Sequence, residues 1–220
     1  MCKQQANKIS CVVFDLDGTL VDTSPGIIES IKYASQKLNY PKLSQEQLLS
    51  FIGPSLKASF TRCYGCNDSE ADRLTDTYRA HYRQGSLLNA RPYDGIIKLC
   101  EELVNAGIQL KVATSKPQGF AEQILRHFGF ERYFSVICGA DMQGKLSKAD
   151  LIRSCVKELD LSGCVMVGDT EHDAKGAAET GISFIGVSYG FGNLKEMLNY
   201  PHIGLAENPL DVLQIIREIN

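Results

Sequence analysis

The chain has 220 residues, eight cysteines, 44% hydrophobic residues and a net charge of −3 from 23 basic and 26 acidic side chains. That length accommodates one full α/β core with a small second domain, and the slightly acidic balance argues against a nucleic-acid partner. The opening stretch, Met1 to Ser10, is polar and nowhere is there an apolar run long enough to span a bilayer. No leader and no membrane association are therefore expected, and the cytoplasm is the expected location.

The first element in chain order is a strand over 9–15, the apolar run Cys11-Val12-Val13-Phe14 ending in Asp15-Leu16-Asp17-Gly18-Thr19-Leu20. Ionised carboxylates are costly to desolvate, so two of them at the end of a core strand point to a cation or a reaction that holds them there. In open parallel sheets ligands bind beyond the carboxyl ends of strands, which is where this acidic turn falls. A glycine-rich dinucleotide fingerprint is absent from this position, and the acidic turn would repel a pyrophosphate that lacked a metal.

The stretch from Thr23 to Arg91 contains no comparable strand. Ile27, Ile28, Ile31 and Leu38, then Leu48, Leu49 and Ile52, then Leu74, Tyr78 and Tyr82 recur at helical spacing, punctuated by Pro41, Gly53-Pro54 and Gly65. Cys63 and Cys66 form a lone CxxC with no partner pair, and Cys11, Cys100, Cys155 and Cys164 lie in apolar segments, as small core residues of a reducing compartment do. Beyond residue 92 strands near 109–114, 134–138, 164–168 and 183–187 alternate with helices near 93–106, 118–128, 149–159, 173–180 and 209–218. Such alternation predicts a Rossmann-like parallel sheet with helices on both faces.

Three later strand ends also carry polar chemistry. Thr114, followed by Ser115 and Lys116, closes an apolar stretch interrupted by Gln109 and Lys111, so a hydroxyl and free backbone N–H groups form a candidate phosphate cradle. The same residues equally suit a strand-to-helix turn with Ser115 as cap, and Lys116 suits either a phosphate contact or a solvated charge. Lys145 and Lys148 precede the helix that begins near Ala149. A lysine there opposes the helix dipole, and Lys148 breaks that rule as functional residues do. The run Val165-Met166-Val167-Gly168 ends in Asp169, with Asp173 one helical turn further on. Two strand ends that offer carboxylates suit a hard divalent cation such as Mg²⁺.

The motifs Asp15-x-Asp17-Gly-Thr-Leu, Thr114-Ser115-Lys116, Lys148 and Gly168-Asp169-x-x-x-Asp173, in this order, resemble the four motifs of the haloacid dehalogenase superfamily, phosphoglycolate phosphatase-like branch. The resemblance covers nearly the whole chain, including Tyr189-Gly190-Phe191-Gly192. It implies that Asp15 is the nucleophile of an aspartyl-phosphate pathway and Asp17 the acid and base. Thr114, Ser115 and Lys148 would bind phosphate. Asp15, Asp169, Asp173 and the backbone carbonyl of Asp17 would hold or orient Mg²⁺. It further implies a core domain of residues 1–22 and 92–220 with a helical cap inserted at 23–91, where Gly53 to Lys57, Arg62, His81 and Arg83 are candidate selectors of substrate or plain surface groups. The expected activity is hydrolysis of a small phosphorylated metabolite, phosphoglycolate-like in the first instance. A phosphomutase, a pyrophosphate or nucleotide phosphatase, and a non-catalytic binding protein are the competing readings.

Overall fold

The computed structural model describes residues 8–141 and 145–220; the first seven residues of the polar opening segment lie outside this range. The chain divides into two compact units, Met1–Val21 with Pro92–Asn220, and Asp22–Arg91.

The larger unit is built on a six-stranded sheet: β1 (Cys11–Phe14), β4 (Gln109–Pro117), β5 (Phe134–Ala140), β6 (Cys164–Gly168), β7 (Ser183–Val187) and β8 (Gly204–Ala206). Its order is β5-β4-β1-β6-β7-β8, and every neighbouring pair is parallel. The remaining strands, β2 (Val21–Asp22) and β3 (Arg91–Pro92), pair as a ribbon where the chain crosses between the units. β1 is central and its four residues are buried, which is why it reads as an unbroken apolar run rather than an alternating one. Cys11 and Val13 face a core formed with Leu151, Ile152, Cys155 and Val156 of α7 (Lys148–Val156) and Ala174 and Ala177 of α8 (Glu171–Thr180). Side chains alternate along a strand, so Val12 and Phe14 serve the opposite face, where Phe14 meets Phe134 edge-on. Helices α5 (Ile96–Asn105), α6 (Gln118–His127), α9 (Leu194–Met197) and α10 (Pro209–Ile219) complete the unit.

The departures from the sequence expectation are local. β4 runs on to Pro117, so Ser115 lies in the strand and caps no helix; α6 begins only at Gln118, without a side-chain cap. α8 starts at Glu171 rather than 173, and α7 ends at Val156. β8 and α9 carry too few apolar residues to show in the pattern.

The smaller unit holds α1 (Ser24–Lys37), α2 (Gln45–Leu49), α3 (Leu56–Tyr64) and α4 (Asp68–Gln84). Two capping boxes start helices sharply: Ser44 with Gln47 ahead of α2, and Asn67 with Glu70 ahead of α4. Ile27, Ile31, Leu48, Ile52, Leu74, Tyr78 and Tyr82, positions the helical spacing selects, bury their side chains, whereas Ile28 and Leu38 are half-buried and Leu49 is exposed. Among the described residues no helix is long and apolar enough to cross a membrane.

Candidate active site

β1, β4 and β6 are adjacent, so their C-terminal ends bring together residues 150 and more positions apart in sequence. Backbone pairing sets this register: Phe14 lies opposite Val112 and Val167, and Asp15 N donates to Val167 O at 2.9 Å. Asp15 and Asp169 therefore leave their strands side by side. Asp173 joins them from the first turn of α8, and carboxylate oxygens of Asp15, Asp169 and Asp173 all lie within 4.8 Å of one another. All three residues are buried.

Lys148 supplies the balancing charge. It is the first residue of α7, after the cap made by Ser147 and Asp150. Its Nζ donates to Asp15 Oδ1 at 2.8 Å and to Ala113 O at 3.1 Å, and lies 2.8 Å from Asp173 Oδ1. The buried position that the dipole disfavours is thus satisfied by two carboxylates and a carbonyl of β4. Lys145 is exposed and its backbone N–H donates to Asp141, so Lys148 is the lysine at the carboxylates. Burial pulls the Lys148 ammonium down, but Asp15 and Asp173 outweigh it and hold the group above its usual value. Burial pushes Asp15 up to about 6 against the opposing pull of Lys148. Asp169 is pushed up to about 8 by burial, then by the charges of Asp173 and Asp15, with the Phe191 N–H pulling the other way.

Asp169 is held by the turn Tyr189–Gly192: Phe191 N donates to its Oδ2 at 2.7 Å and Gly192 N at 3.3 Å, while Thr19 Oγ1 donates to Oδ1 at 3.3 Å. Two glycines make this approach possible. Gly18 has φ +82°, and a Cβ on Gly18 would overlap Asp169 Oδ2; a Cβ on Gly190 would overlap the same oxygen and Gly18 O. Asp173 has two jobs. Its Oδ2 accepts from Thr170 N at 3.1 Å and Thr170 Oγ1 at 2.7 Å, the helix-start role expected of an acid there. Its Oδ1 is buried and faces the Lys148 ammonium as an ion pair at 2.8 Å.

An all-oxygen donor set of three buried carboxylates fits a hard divalent cation of the Mg²⁺ type. Among the described residues no other group of three acidic, histidine or cysteine ligands converges in this way, so Cys63 and Cys66 have no partners for a zinc site.

The Asp17 carboxylate has a different lysine as partner. Lys116, buried despite its loop-like sequence setting, donates to both Asp17 oxygens at 3.0 Å. Lys116 is therefore not a solvated loop charge: it follows an exposed residue, Ser115, but its own position faces inward. Thr114 is buried, and its Oγ1 accepts from Lys116 N at 3.2 Å. Ser115 is exposed. In the helical unit the candidate selectors are engaged locally: Arg62 donates to Ser50 O and Oγ at 3.0 Å, Lys57 pairs with Asp72, and His81 stacks on Tyr33 with centroids 4.1 Å apart.

Six parallel strands, a carboxylate trio at the sheet's C-terminal edge and a lysine at its centre define a hydrolase of one class. The sequence profile of haloacid dehalogenase-like hydrolases matches residues 12–187, and the chain belongs to that family. A 5′-nucleotidase of Pseudomonas aeruginosa is 41% identical over 189 residues, spanning 84% of this chain and 86% of that protein. A phosphoglycolate phosphatase of Agrobacterium fabrum is 30% identical over 81% of this chain and 80% of its own. Among solved structures, a haloacid dehalogenase-like hydrolase from Streptococcus pneumoniae superposes with a TM-score of 0.88 at 31% identity, covering 94% of this chain and 97% of that one.

Proposed function

We propose that this protein is a Mg²⁺-dependent phosphatase of small phosphomonoesters that works through an aspartyl-phosphate on Asp15. The observation that carries the reading is the buried trio of Asp15, Asp169 and Asp173 around Lys148. Ionised acids gathered in this way are unfavourable unless a cation and an anionic substrate share the site.

Asp15 attacks phosphorus, and the ester oxygen leaves with a proton from Asp17; water then attacks the aspartyl-phosphate and gives its proton to Asp17, releasing phosphate and restoring Asp15. Phosphoryl transfer asks the protein chiefly to position groups and neutralise the equatorial oxygens. Lys148 supplies charge at Asp15 for that purpose, and Thr114 with the backbone N–H groups at the end of β4 cradles phosphate. Asp15, Asp169, Asp173 and the Asp17 carbonyl would hold Mg²⁺, whose charge would add to that neutralisation. Lys116, which donates to both Asp17 carboxylate oxygens, fixes the position of the group that would carry the proton. The helical unit is the proposed cap that excludes water during transfer.

Nucleoside 5′-monophosphates and phosphoglycolate head the substrate series, because relatives named for those activities are the 41% and 30% identical ones. Phosphate release from a panel of phosphomonoesters and pyrophosphate with Mg²⁺, run beside Asp15→Asn, tests the proposal. Turnover that disappears in the variant supports it, and the ranking names the substrate. Absence of release from every compound by a folded parent protein would overturn it in favour of a mutase or a binding protein.

A further inference from the structure

α7 reaches the carboxylates with its first residue, Lys148, while the rest of the helix lies on the sheet. Its inner face, Leu151, Ile152, Cys155 and Val156, packs in one cluster with Cys11, Val13 and Ala113. Apolar packing is non-directional: it holds a helix against a sheet but does little to fix its position along its own axis. That position matters here, because Lys148 Nζ meets Asp15 Oδ1 at 2.8 Å.

Directional bonds from β4 supply what packing does not. Lys111 is only 8% exposed, although it is a lysine within a core strand. It shares a face with Ala113, two residues on, and its Nζ donates to Cys155 O at 2.7 Å. The last four carbonyls of a helix have no partner within it, and cations are favoured there. Cys155 is the last residue but one of α7, so the Lys111 ammonium satisfies one of these carbonyls from the sheet. At the next residue of β4, Val112 O accepts from Cys155 Sγ at 3.1 Å, and at the one after, Ala113 O accepts from Lys148 Nζ at 3.1 Å. Consecutive residues of one strand thus bond both ends of the helix.

Burying an ammonium is costly, and a methionine at position 111 would fill the same space without that cost. It would not bond Cys155 O. The Lys148 stem has little room to compensate for a displaced helix, since a Cβ on Gly176 of α8 would meet Lys148 Cγ at 2.8 Å and Ile152 Cδ1 at 3.0 Å. A shift of α7 along its axis is therefore passed on to the Lys148 ammonium.

We infer that Lys111 and Cys155 are positioning residues, which fix α7 lengthwise on β4 and so set where the Lys148 ammonium stands at Asp15. Each acts through α7 rather than on the substrate. The effect on turnover rests on the phosphatase reading above; the effect on the ammonium does not.

The test compares Lys111→Met, Cys155→Ala and Cys155→Ser with the parent in two measurements. In the first, side-chain ammonium resonances are recorded by NMR on the full-length protein carrying isotope-labelled lysine, with that of Lys148 assigned by its loss in Lys148→Met. Lys111→Met and Cys155→Ala should shift or broaden the Lys148 resonance. Cys155→Ser keeps a donor for Val112 O and should move it less than Cys155→Ala does. In the second, phosphate release should show kcat lowered about 10–100-fold in Lys111→Met with KM within about twofold of the parent's, the scale of a catalytic group misplaced by about 1 Å. The same substitution made in Lys148→Met should cost nothing further, because no ammonium is left to position. An unmoved Lys148 resonance in Lys111→Met and Cys155→Ala would overturn the inference, as would an equal loss of kcat with and without Lys148. If Lys111→Met does not fold, Cys155→Ala carries both measurements. A folded parent that releases no phosphate overturns the phosphatase reading alone, and the resonance then decides the positioning role.

Discussion

Replacing Lys148 by Met removes an ammonium that two buried carboxylates contact at 2.8 Å each while keeping most of the side-chain volume. At an effective dielectric constant of ~20, each contact corresponds to about 6 kcal/mol of gross attraction. Desolvation offsets most of it, and breaking a buried pair from one side costs about 3–5 kcal/mol net because the remaining charges stay buried. For a protein of this size, ~1 kcal/mol moves Tm by about 2–4 °C, so the metal-free variant should melt about 6–20 °C below the parent. The gap should narrow toward pH 5, where the acids left behind can take up protons. It should also narrow with millimolar Mg²⁺, which restores positive charge to the trio. Catalysis should fall by at least ~10²-fold, the scale of losing one preorganised charge-stabilising donor. Circular-dichroism melts in EDTA and in Mg²⁺ at two pH values, with phosphate release alongside, measure all of this. A metal-free Lys148→Met protein that melts within about 2 °C of the parent at pH 8 would refute the reasoning.

Three further outcomes follow from the site. Asp15 and Asp169 have folded-state values raised to about 6 and about 8, so the stability tied to their protonation is complete below the usual carboxylate range and is lost as pH rises through those values. Metal-free Tm should fall between pH 5 and pH 8.5 for that reason, and the Mg²⁺-induced rise in Tm should be larger at pH 8 than at pH 5.5; a flat or rising metal-free profile would contradict this. Asp17→Asn should lower kcat/KM for alkyl phosphates by about 10²–10⁴-fold and that for p-nitrophenyl phosphate far less, because nitrophenolate leaves without a proton. Equal losses on both substrates would remove Asp17 from proton transfer. Gly190→Ala forces a methyl group onto Asp169 Oδ2 and Gly18 O, and should cost about 1–3 kcal/mol of stability and weaken Mg²⁺ binding, read by calorimetry and thermal shift.

Much of this architecture is legible from residue order because β1, β6 and β7 are buried on both faces and advertise themselves as unbroken apolar runs. Asp15 and Asp169 stand out for the same reason: each is a charge placed directly after such a run. What local pattern cannot carry is partnership across the sheet. Lys116 and Asp17 are 99 positions apart, and only the adjacency of β4 and β1 brings their side chains together. Lys111 shows as a polar break in an apolar strand, a signal that it points somewhere unusual, but the carbonyl its ammonium reaches belongs to Cys155 on another element, α7. Ser115 was ambiguous between cradle and cap because both need a hydroxyl after a strand, and the choice depends on where β4 stops. β8 leaves no pattern in the sequence because three residues at a sheet edge bury too little.

The chain crosses the centre of its own sheet before it has made the neighbours that flank that strand. β1 is the first strand in sequence, yet its partners β4 and β6 come after residues 109 and 164, so the central strand waits unpaired until most of the polypeptide exists. Long-range pairing of this kind carries a large loop-closure cost and folds slowly. Asp15, at the end of β1, meets Asp169 only when that last central pairing forms. A chain that stops short of β6 lacks Asp169 and Asp173 and cannot assemble the acidic trio, so the trio itself records that the chain has been made at least as far as α8.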